Sequence, residues 1–339
     1  MNEFMNESNP VIPPFQAAPE PAYKDRSTGL TVFGILTLLL GCLTGLFTLL
    51  MLVSLLKVRP AGSPPVNPAG ILMALGIYGG LTVALIWLGI GSIQARRWAR
   101  ALLLIYSWSC LVMGVVMTAV MPFFMSKTFA NLPPNAQTGQ PAMPPGVITG
   151  MVIGMTIFFL VFMVLVPALW VFFYGSRHVK ATCEARDPAP RWTDACPLPV
   201  LGFCLWTWLA VPMMLFVPLA GHAVMPCFGV FITGLPAVLF CLIIAAVWGV
   251  AGWWLYRLDA RGWWLILVAM VLFAVSALLT YAHHDLIEMY QLQGLPQTQI
   301  EQMQKMGLFT GHRMSWMTAL FTLPFVGYLL FIKKYLRKD

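Results

Sequence analysis

Charged residues are scarce in this sequence. They make up 9% of its 339 residues, whereas hydrophobic residues make up 59%. Soluble globular domains carry about 25% charged residues, so the composition excludes an ordinary soluble protein. A formal net charge of +8 would point to nucleic acid only if the basic residues formed a patch on a folded face. They fall instead in short clusters between apolar runs, which predicts a membrane protein with the lipid bilayer, and no nucleic acid, as partner.

Catalytic signatures are also missing. The sequence offers no P-loop, no GxSxG elbow and no dinucleotide fingerprint in a suitable setting. Acidic and basic side chains are absent from the centres of the apolar runs, which argues against a pump or a proton-coupled carrier. Of the seven cysteines, Cys183 and Cys196 are expected in the cytoplasm and are too few for a zinc site. No cofactor and no catalytic residue is predicted.

Eight apolar stretches are present, and about 20 residues suffice for a helix to cross a bilayer. They cover residues 30–56, 70–94, 101–124, 147–174, 198–219, 229–255, 262–282 and 314–332. The predicted fold class is therefore all-α, a polytopic transmembrane helical protein. The predicted organisation is a disordered Pro-rich cytoplasmic tail (1–28), a four-helix unit (29–175), a cytoplasmic linker (176–197), a second four-helix unit (198–333) and a basic cytoplasmic C-terminus (334–339).

Basic residues predict the orientation of the spans. With the N-terminus inside, 15 of the 20 basic residues are cytoplasmic and 5 are outside, which satisfies the positive-inside rule. Lys57 and Arg59 are a local exception in one short outer loop. Because four spans form an even number, the two units enter and leave on the same side and are predicted to be parallel.

A repeat underlies the division into two units. With a shift of 161 residues, the segments 84–105 and 245–266 align without a gap and share 8 identities in 22 positions. The identical pairs are Ala84/Ala245, Trp87/Trp248, Gly91/Gly252, Arg96/Arg257, Ala99/Ala260, Arg100/Arg261, Leu104/Leu265 and Ile105/Ile266. Each copy covers a helix end, a short basic turn and the next helix start. The sequence thus predicts tandem four-helix repeats.

The two basic turns carry arginines beside tryptophans, the composition of an aromatic belt with headgroup contacts. The predicted membrane-anchoring residues are Arg96, Arg97, Arg100, Arg257, Arg261, Trp98, Trp253 and Trp263. The alternative for these turns is a site for an anionic lipid or phosphate. Small residues four apart, such as Gly41/Gly45 and Gly146/Gly150/Gly154, predict close helix packing within each bundle, with a homo-oligomer or partner interface as the alternative.

Pro167 and Pro324 each precede a basic exit of the last span of a unit. Paired prolines in matching helices resemble the broken helices of transporters, although kinks are frequent in ordinary membrane helices as well.

Four histidines are expected at the outer face, and they are the candidate metal ligands: His222, His283, His284 and His312. Neutral imidazoles with nearby Asp285 and Glu288 have the chemistry for zinc or another transition metal. No HExxH spacing occurs, and polar residues at a helix end explain the same pattern. We therefore expect no metal at these positions.

The linker segment 186–200 reads RDPAPRWTDACPLPV. This segment and the turn from Gly91 to Arg100 resemble those of bacterial multi-pass membrane proteins with an RDPxPRWTDxCPxPV linker, a family to which no activity is attached. The resemblance implies a bacterial cytoplasmic (inner) membrane protein. It implies no reaction.

Three functions remain open. The first is a non-enzymatic membrane protein acting through protein or lipid partners. The second is a passive or weakly coupled small-molecule transporter or channel, and the third is a membrane-embedded enzyme with an outer histidine metal site.

The orientation leads to the first testable prediction. A green fluorescent protein fused after Asp339 should fluoresce, and alkaline phosphatase fused there should be inactive, because both termini are expected in the cytoplasm. Inserting each reporter between the third and fourth spans should reverse both signals. Active phosphatase at the C-terminus would contradict the orientation.

Overall fold

The computed structural model describes residues 23–56, 68–130, 144–219, 223–306 and 311–336. Eight of its helices are long and apolar enough to cross a membrane: Ser27–Ser54, Ile71–Ile93, Arg97–Pro122, Gly146–Gly175, Leu198–Phe216, Gly234–Tyr256, Ala260–His283 and Met314–Tyr335. The all-α polytopic fold and its eight candidate spans are thus confirmed. Of the predicted N-terminal tail, residues 1–22 lie outside the described residues.

The first four spans comprise α1 (Ser27–Leu56), α2 (Pro68–Ile93), α3 (Arg97–Ala130) and a composite fourth helix. That fourth helix consists of α4 (Pro145–Phe159), a π-helical turn (Leu160–Leu165) and α5 (Val166–Gly175). The linker contains α6 (Arg177–Arg186) and a 3-10 turn (Trp192–Asp194). Residues 187–191 and 195–197 of the linker are not helical.

The last four spans are α7 (Leu198–Phe216), α8 (Gly234–Tyr256), α9 (Ala260–His283) and α12 (Gly311–Ile332). Two short helices, α10 (Leu286–Leu292) and α11 (Gln297–Met306), connect α9 to α12. A hairpin of β1 (Val224–Cys227) and β2 (Val230–Thr233) precedes α8, so that helix begins later than the predicted residue 229.

Hydroxyl groups of α9 hold this hairpin in place. Its two turn residues, Phe228 and Gly229, have positive φ angles of 42° and 97°, as a tight two-residue turn requires. Their amides donate to Ser276 Oγ at 2.9 Å and Thr280 Oγ1 at 3.1 Å. Backbone donors that a short loop leaves free are thereby satisfied inside the helical unit.

Glycines set the closest helix contacts of the first unit. A Cβ on Gly34 would lie 2.9 Å from the carbonyl oxygen of Gly89, and a Cβ on Gly89 equally close to that of Gly34. Gly41 and Gly45 also face α2 closely, in line with their expected packing role. By contrast, a Cβ on Gly146, Gly150 or Gly154 would meet no atom of the described residues within 4 Å. The expectation that this triplet packs within the bundle is therefore wrong.

Pro167 and Pro324, the two prolines at matching positions of the units, have different surroundings. Pro167 has no N–H for the carbonyl of Met163, four residues earlier, and the π-helical turn lies just before it, where Val166 N–H bonds to Val161 five residues back. The Met163 carbonyl faces Gly114 of α3, where any Cβ would collide with it. Pro324 lies within one continuous α-helix. The matching prolines therefore have different local consequences.

The two basic turns end their helices with the same type of cap, but the two caps do not lie at equivalent positions of the aligned segments. At the first turn Ala95 N–H bonds to Ser92 and Arg96 N–H to Gly91, both at 2.9 Å. At the second turn Leu258 N–H bonds to Leu255 and Asp259 N–H to Trp254. Both are Schellman caps, and their left-handed residues, Ala95 and Leu258, are offset by 163 residues.

The identical residues, offset by 161, therefore make different contacts. Gly91 lies against Trp98 and Ala99 of α3, whereas its counterpart Gly252 lies against Thr207 and Trp208 of α7. The tandem repeat stays a prediction.

Gly114 provides a stability test of the contact between α3 and the fourth span. Gly114→Ala should destabilise the protein by roughly 1–3 kcal/mol, because the added methyl meets the rigid Met163 carbonyl. The measurement is equilibrium unfolding in mixed micelles. Gly150→Ala is the matched control and should be neutral or slightly stabilising, since its Cβ meets nothing. Equal effects of the two substitutions would contradict the close contact.

Candidate functional site

The linker folds back onto the starts of the helices. The amide of Lys24 donates to His178 Nδ1 at 3.2 Å, and the amide of Arg26 donates to Thr182 Oγ1 at 3.1 Å. Both acceptors lie on α6, so the residues that precede α1 dock on the linker. Tyr256 Oη donates to the Trp192 carbonyl at 2.8 Å, which ties the end of α8 to the linker as well. The linker thus joins both halves of the chain.

A buried carboxylate organises this face. Asp187 follows α6 and is only 3% exposed. Its carboxylate accepts from Arg191 Nη2 at 2.7 Å and from the Arg97 amide at 3.4 Å, and Arg96 Nη1 lies 3.9 Å away. The Arg191 hydrogen bonds hold the pKa of the Asp187 carboxyl below its usual value, and they raise the pKa of Arg191. A buried charge with such partners remains ionised.

A cavity of about 330 Å³ opens beside this carboxylate, and we call it the linker cavity. It is bounded by the first turn of α3, by α6, and by the segment that leads into α7. Its lining residues are Arg97, Arg100, Ala101, Lys180, Cys183, Glu184, Thr193, Asp194, Cys196, Pro197 and Leu198.

The charges in the linker cavity are unequally paired. Arg97 lies 3.5 Å from both Glu184 and Asp194, and Lys180 lies 3.8 Å from Glu184. Among the described residues no carboxylate is paired with Arg100, whose buried Nε has no hydrogen-bond partner. Thr193 Oγ1 is likewise buried and unpartnered. Buried polar groups usually have partners, so these two stand out.

The thiols of the cavity are unsuited to nucleophilic chemistry. Burial raises the pKa of Cys183 to about 11 and that of Cys196 to about 11. Both thiols are therefore protonated at neutral pH, whereas the thiolate is the reactive form. The cavity also contains two carboxylates, Glu184 and Asp194, but three cationic side chains and the Thr193 hydroxyl line it as well, and such groups bind anions. The arrangement supports binding.

The arginines of the first basic turn, predicted as membrane-anchoring residues, face the linker. Arg97 and Arg100 line the linker cavity, and Arg96 approaches Asp187. Trp98 stacks on Trp87 with ring centroids 4.1 Å apart.

The residues of the second turn have varied positions. Arg261 is largely exposed, with 77% of its side chain accessible. Arg257 lies over the Trp253 ring, 4.7 Å from the centroid. Trp263, however, is 2% exposed and donates from Nε1 to the Leu329 carbonyl at 2.7 Å. Its ring packs in the core of the second unit and is not accessible to lipid.

The candidate histidines are only partly described. His222 lies outside the described residues, and the structure describes the helical position of His312 in α12 without its side chain. His283 ends α9 with an exposed side chain, while His284 Nδ1 lies 2.7 Å from Glu288. Within the described ranges, no group of three or more histidine, cysteine, aspartate and glutamate side chains is arranged to hold a metal ion.

Sequence reasoning missed the roles of Asp187 and Thr193. Both lie in the quoted linker segment, where Asp187 and Arg191 are four residues apart, but the helix rule for such pairs does not apply across Pro188 and Pro190. Nothing in the sequence shows that Arg97 and Arg100 come to the same place.

Comparison of the chain with protein-family models, with curated proteins and with solved structures gives no match.

Asp187 leads to a prediction about stability and pH. Asp187→Asn should cost roughly 1–2 kcal/mol at neutral pH, since it weakens charge-assisted hydrogen bonds to guanidinium groups that are partly exposed. Because the folded-state pKa is lowered, this contribution is complete above the ordinary value of 3.8 and is lost as the pH falls through the folded pKa.

Thermal unfolding of both proteins in detergent between pH 3 and pH 7 measures the difference. Asp25→Asn serves as control and should change stability much less, because Asp25 is exposed both where it accepts from Ser27 and where it pairs with Arg186. A pH-independent difference for Asp187→Asn would count against the ionised carboxylate.

Proposed function

We propose that this chain is a non-enzymatic integral membrane protein of the bacterial inner membrane that acts through protein or lipid partners. Both termini lie in the cytoplasm in this proposal, so the linker face is the cytoplasmic face. The eight apolar helices support the membrane setting, and the excess of basic residues on one side supports the orientation.

Direct packing between the two halves carries the proposal. Ile105 of α3 lies against Gly202 of α7, where a Cβ on the glycine would be 3.4 Å from the isoleucine side chain. On the same pair of helices, Trp206 Nε1 donates to Ser109 Oγ at 2.9 Å. Ile105 of the first half packs against the hydrophobic core of the second half, and Leu198 of the second half packs against the core of the first. Alternating access requires one half to move against the other, and this contact favours a fixed pair.

A passive or weakly coupled transporter is the second candidate. The π-helical turn before Pro167 favours it, because π-bulges are frequent at functional sites and broken helices are found at transporter binding sites.

Locking α3 to α7 distinguishes the two functions. The double variant Ile105→Cys and Gly202→Cys places one thiol on each of the two facing helix surfaces, where a Cβ on residue 202 lies 3.4 Å from the Ile105 side chain, and formation of the disulfide is verified on a non-reducing gel before flux is measured. In proteoliposomes, the wild-type protein should pass neutral solutes and ions no faster than empty liposomes, and oxidation of the pair should change nothing. Each single variant serves as control.

Protein taken directly from membranes into nanodiscs should carry a lipid or protein partner at fixed stoichiometry.

Flux above the empty liposomes that oxidation abolishes and a reductant restores would contradict the proposal and establish transport. Protein that leaves the membrane without any stoichiometric partner would also contradict it.

A further inference from the structure

We propose that the linker cavity binds the phosphate group of an anionic ligand, with Arg100 and Thr193 as its main donors. Arg100 Nε and Thr193 Oγ1 are buried and have no hydrogen-bond partner. Neither atom takes part in the contacts of the fold described above. The proposal does not depend on whether the protein is a partner-binding protein or a transporter.

The charge of the linker cavity favours an anion. Three cationic side chains, Arg97, Arg100 and Lys180, face two carboxylates, Glu184 and Asp194, which leaves one positive charge in excess. Arg97 and Lys180 are in direct ion pairs with those carboxylates, whereas Arg100 interacts with Glu184 and Asp194 only at longer range, so the excess charge is least compensated at Arg100. An oxyanion there replaces the missing carboxylate.

Two buried donors supply the hydrogen bonds. Arg100 Nε and the Thr193 hydroxyl are both buried and both without a partner, and Thr193 is only 1% exposed. Leaving such groups unsatisfied is costly, and a phosphate oxygen accepts from guanidinium and hydroxyl alike. A carboxylate would satisfy them too, but the several oxygens of a phosphate suit donors that come from separate segments of the chain.

Helix ends add to the same field. The linker cavity receives Arg97, Arg100 and Ala101 from the first turn of α3 and Leu198 from the first residue of α7. The N-terminal end of a helix carries a partial positive charge and favours phosphate. Both helices are long, with 34 and 19 residues.

The size of the linker cavity limits the ligand. A volume of about 330 Å³ lies at the lower end of ordinary ligand sites, which begin near 300 Å³. The space accommodates a phosphate with a small organic substituent. Because the lining comes from the ends of two candidate spans, the phosphate can belong to a lipid headgroup or to a soluble phosphate ester.

Ligand-induced stabilisation of the full chain tests the site, because a ligand that binds only the folded state raises the melting temperature. In one arm, the protein in phosphatidylcholine nanodiscs is titrated with sodium phosphate and with glycerol phosphate, against sodium chloride at matched ionic strength. In the other arm, the nanodiscs contain increasing fractions of phosphatidic acid. We expect stabilisation in at least one arm and none from sodium chloride.

Variants assign the effect to the linker cavity. Arg100→Gln should weaken the apparent affinity roughly tenfold or more, and the isosteric Thr193→Val several-fold. Arg177→Gln is the matched control, because Arg177 is an exposed arginine of α6 that does not line the linker cavity. If Arg100→Gln fails to fold, Thr193→Val and Arg100→Lys provide the comparison.

Each outcome is informative. Stabilisation by soluble phosphates alone identifies a soluble ester as the source, and stabilisation by phosphatidic acid alone identifies a headgroup. Stabilisation in both arms means that the two share the site. No stabilisation in either arm, or equal stabilisation of the Thr193→Val and Arg177→Gln variants, would overturn the proposal.

Discussion

A polypeptide in hydrocarbon must satisfy its own backbone hydrogen bonds, and the rest of this structure depends on that constraint. It makes each of the eight apolar stretches a helix and moves charged residues to the helix ends. Irregular backbone then needs local support. Gly114 accommodates the carbonyl of Met163, which lies within the π-helical turn, and Ser276 and Thr280 accept hydrogen bonds from the hairpin amides. The chemistry of binding is accordingly concentrated at the ends of the spans.

The linker end contains most of that chemistry. Asp187 attracts Arg191 and the amide of Arg97, and this clamp fixes the linker against the start of α3. Once the linker is fixed, Thr193 and Arg100 are brought to the same cavity. Burying one carboxylate costs desolvation, which its charged hydrogen bonds offset. The clamp therefore shapes the linker cavity without filling it.

Residues that correspond in the two halves contact different neighbours. Gly91 and Gly252 correspond in the sequence, yet one accommodates α3 and the other α7. Pro167 follows a π-helical turn, whereas Pro324 lies in a continuous helix. Identity of residue type fixes neither the partner helix nor the register, because close packing depends on which side chain faces the small residue.

The sequence by itself determined the helical class, the eight spans and their approximate limits, because apolar length and hydropathy are local properties. It also located the basic turns. Only the tertiary structure decided that Trp263 is buried, that Gly146, Gly150 and Gly154 have open faces among the described residues, and that Arg100 and Thr193, 93 positions apart in the chain, line the same cavity. Such contacts depend on how helices rotate about their own axes, and in a chain apolar on every face hydropathy gives no preferred rotation.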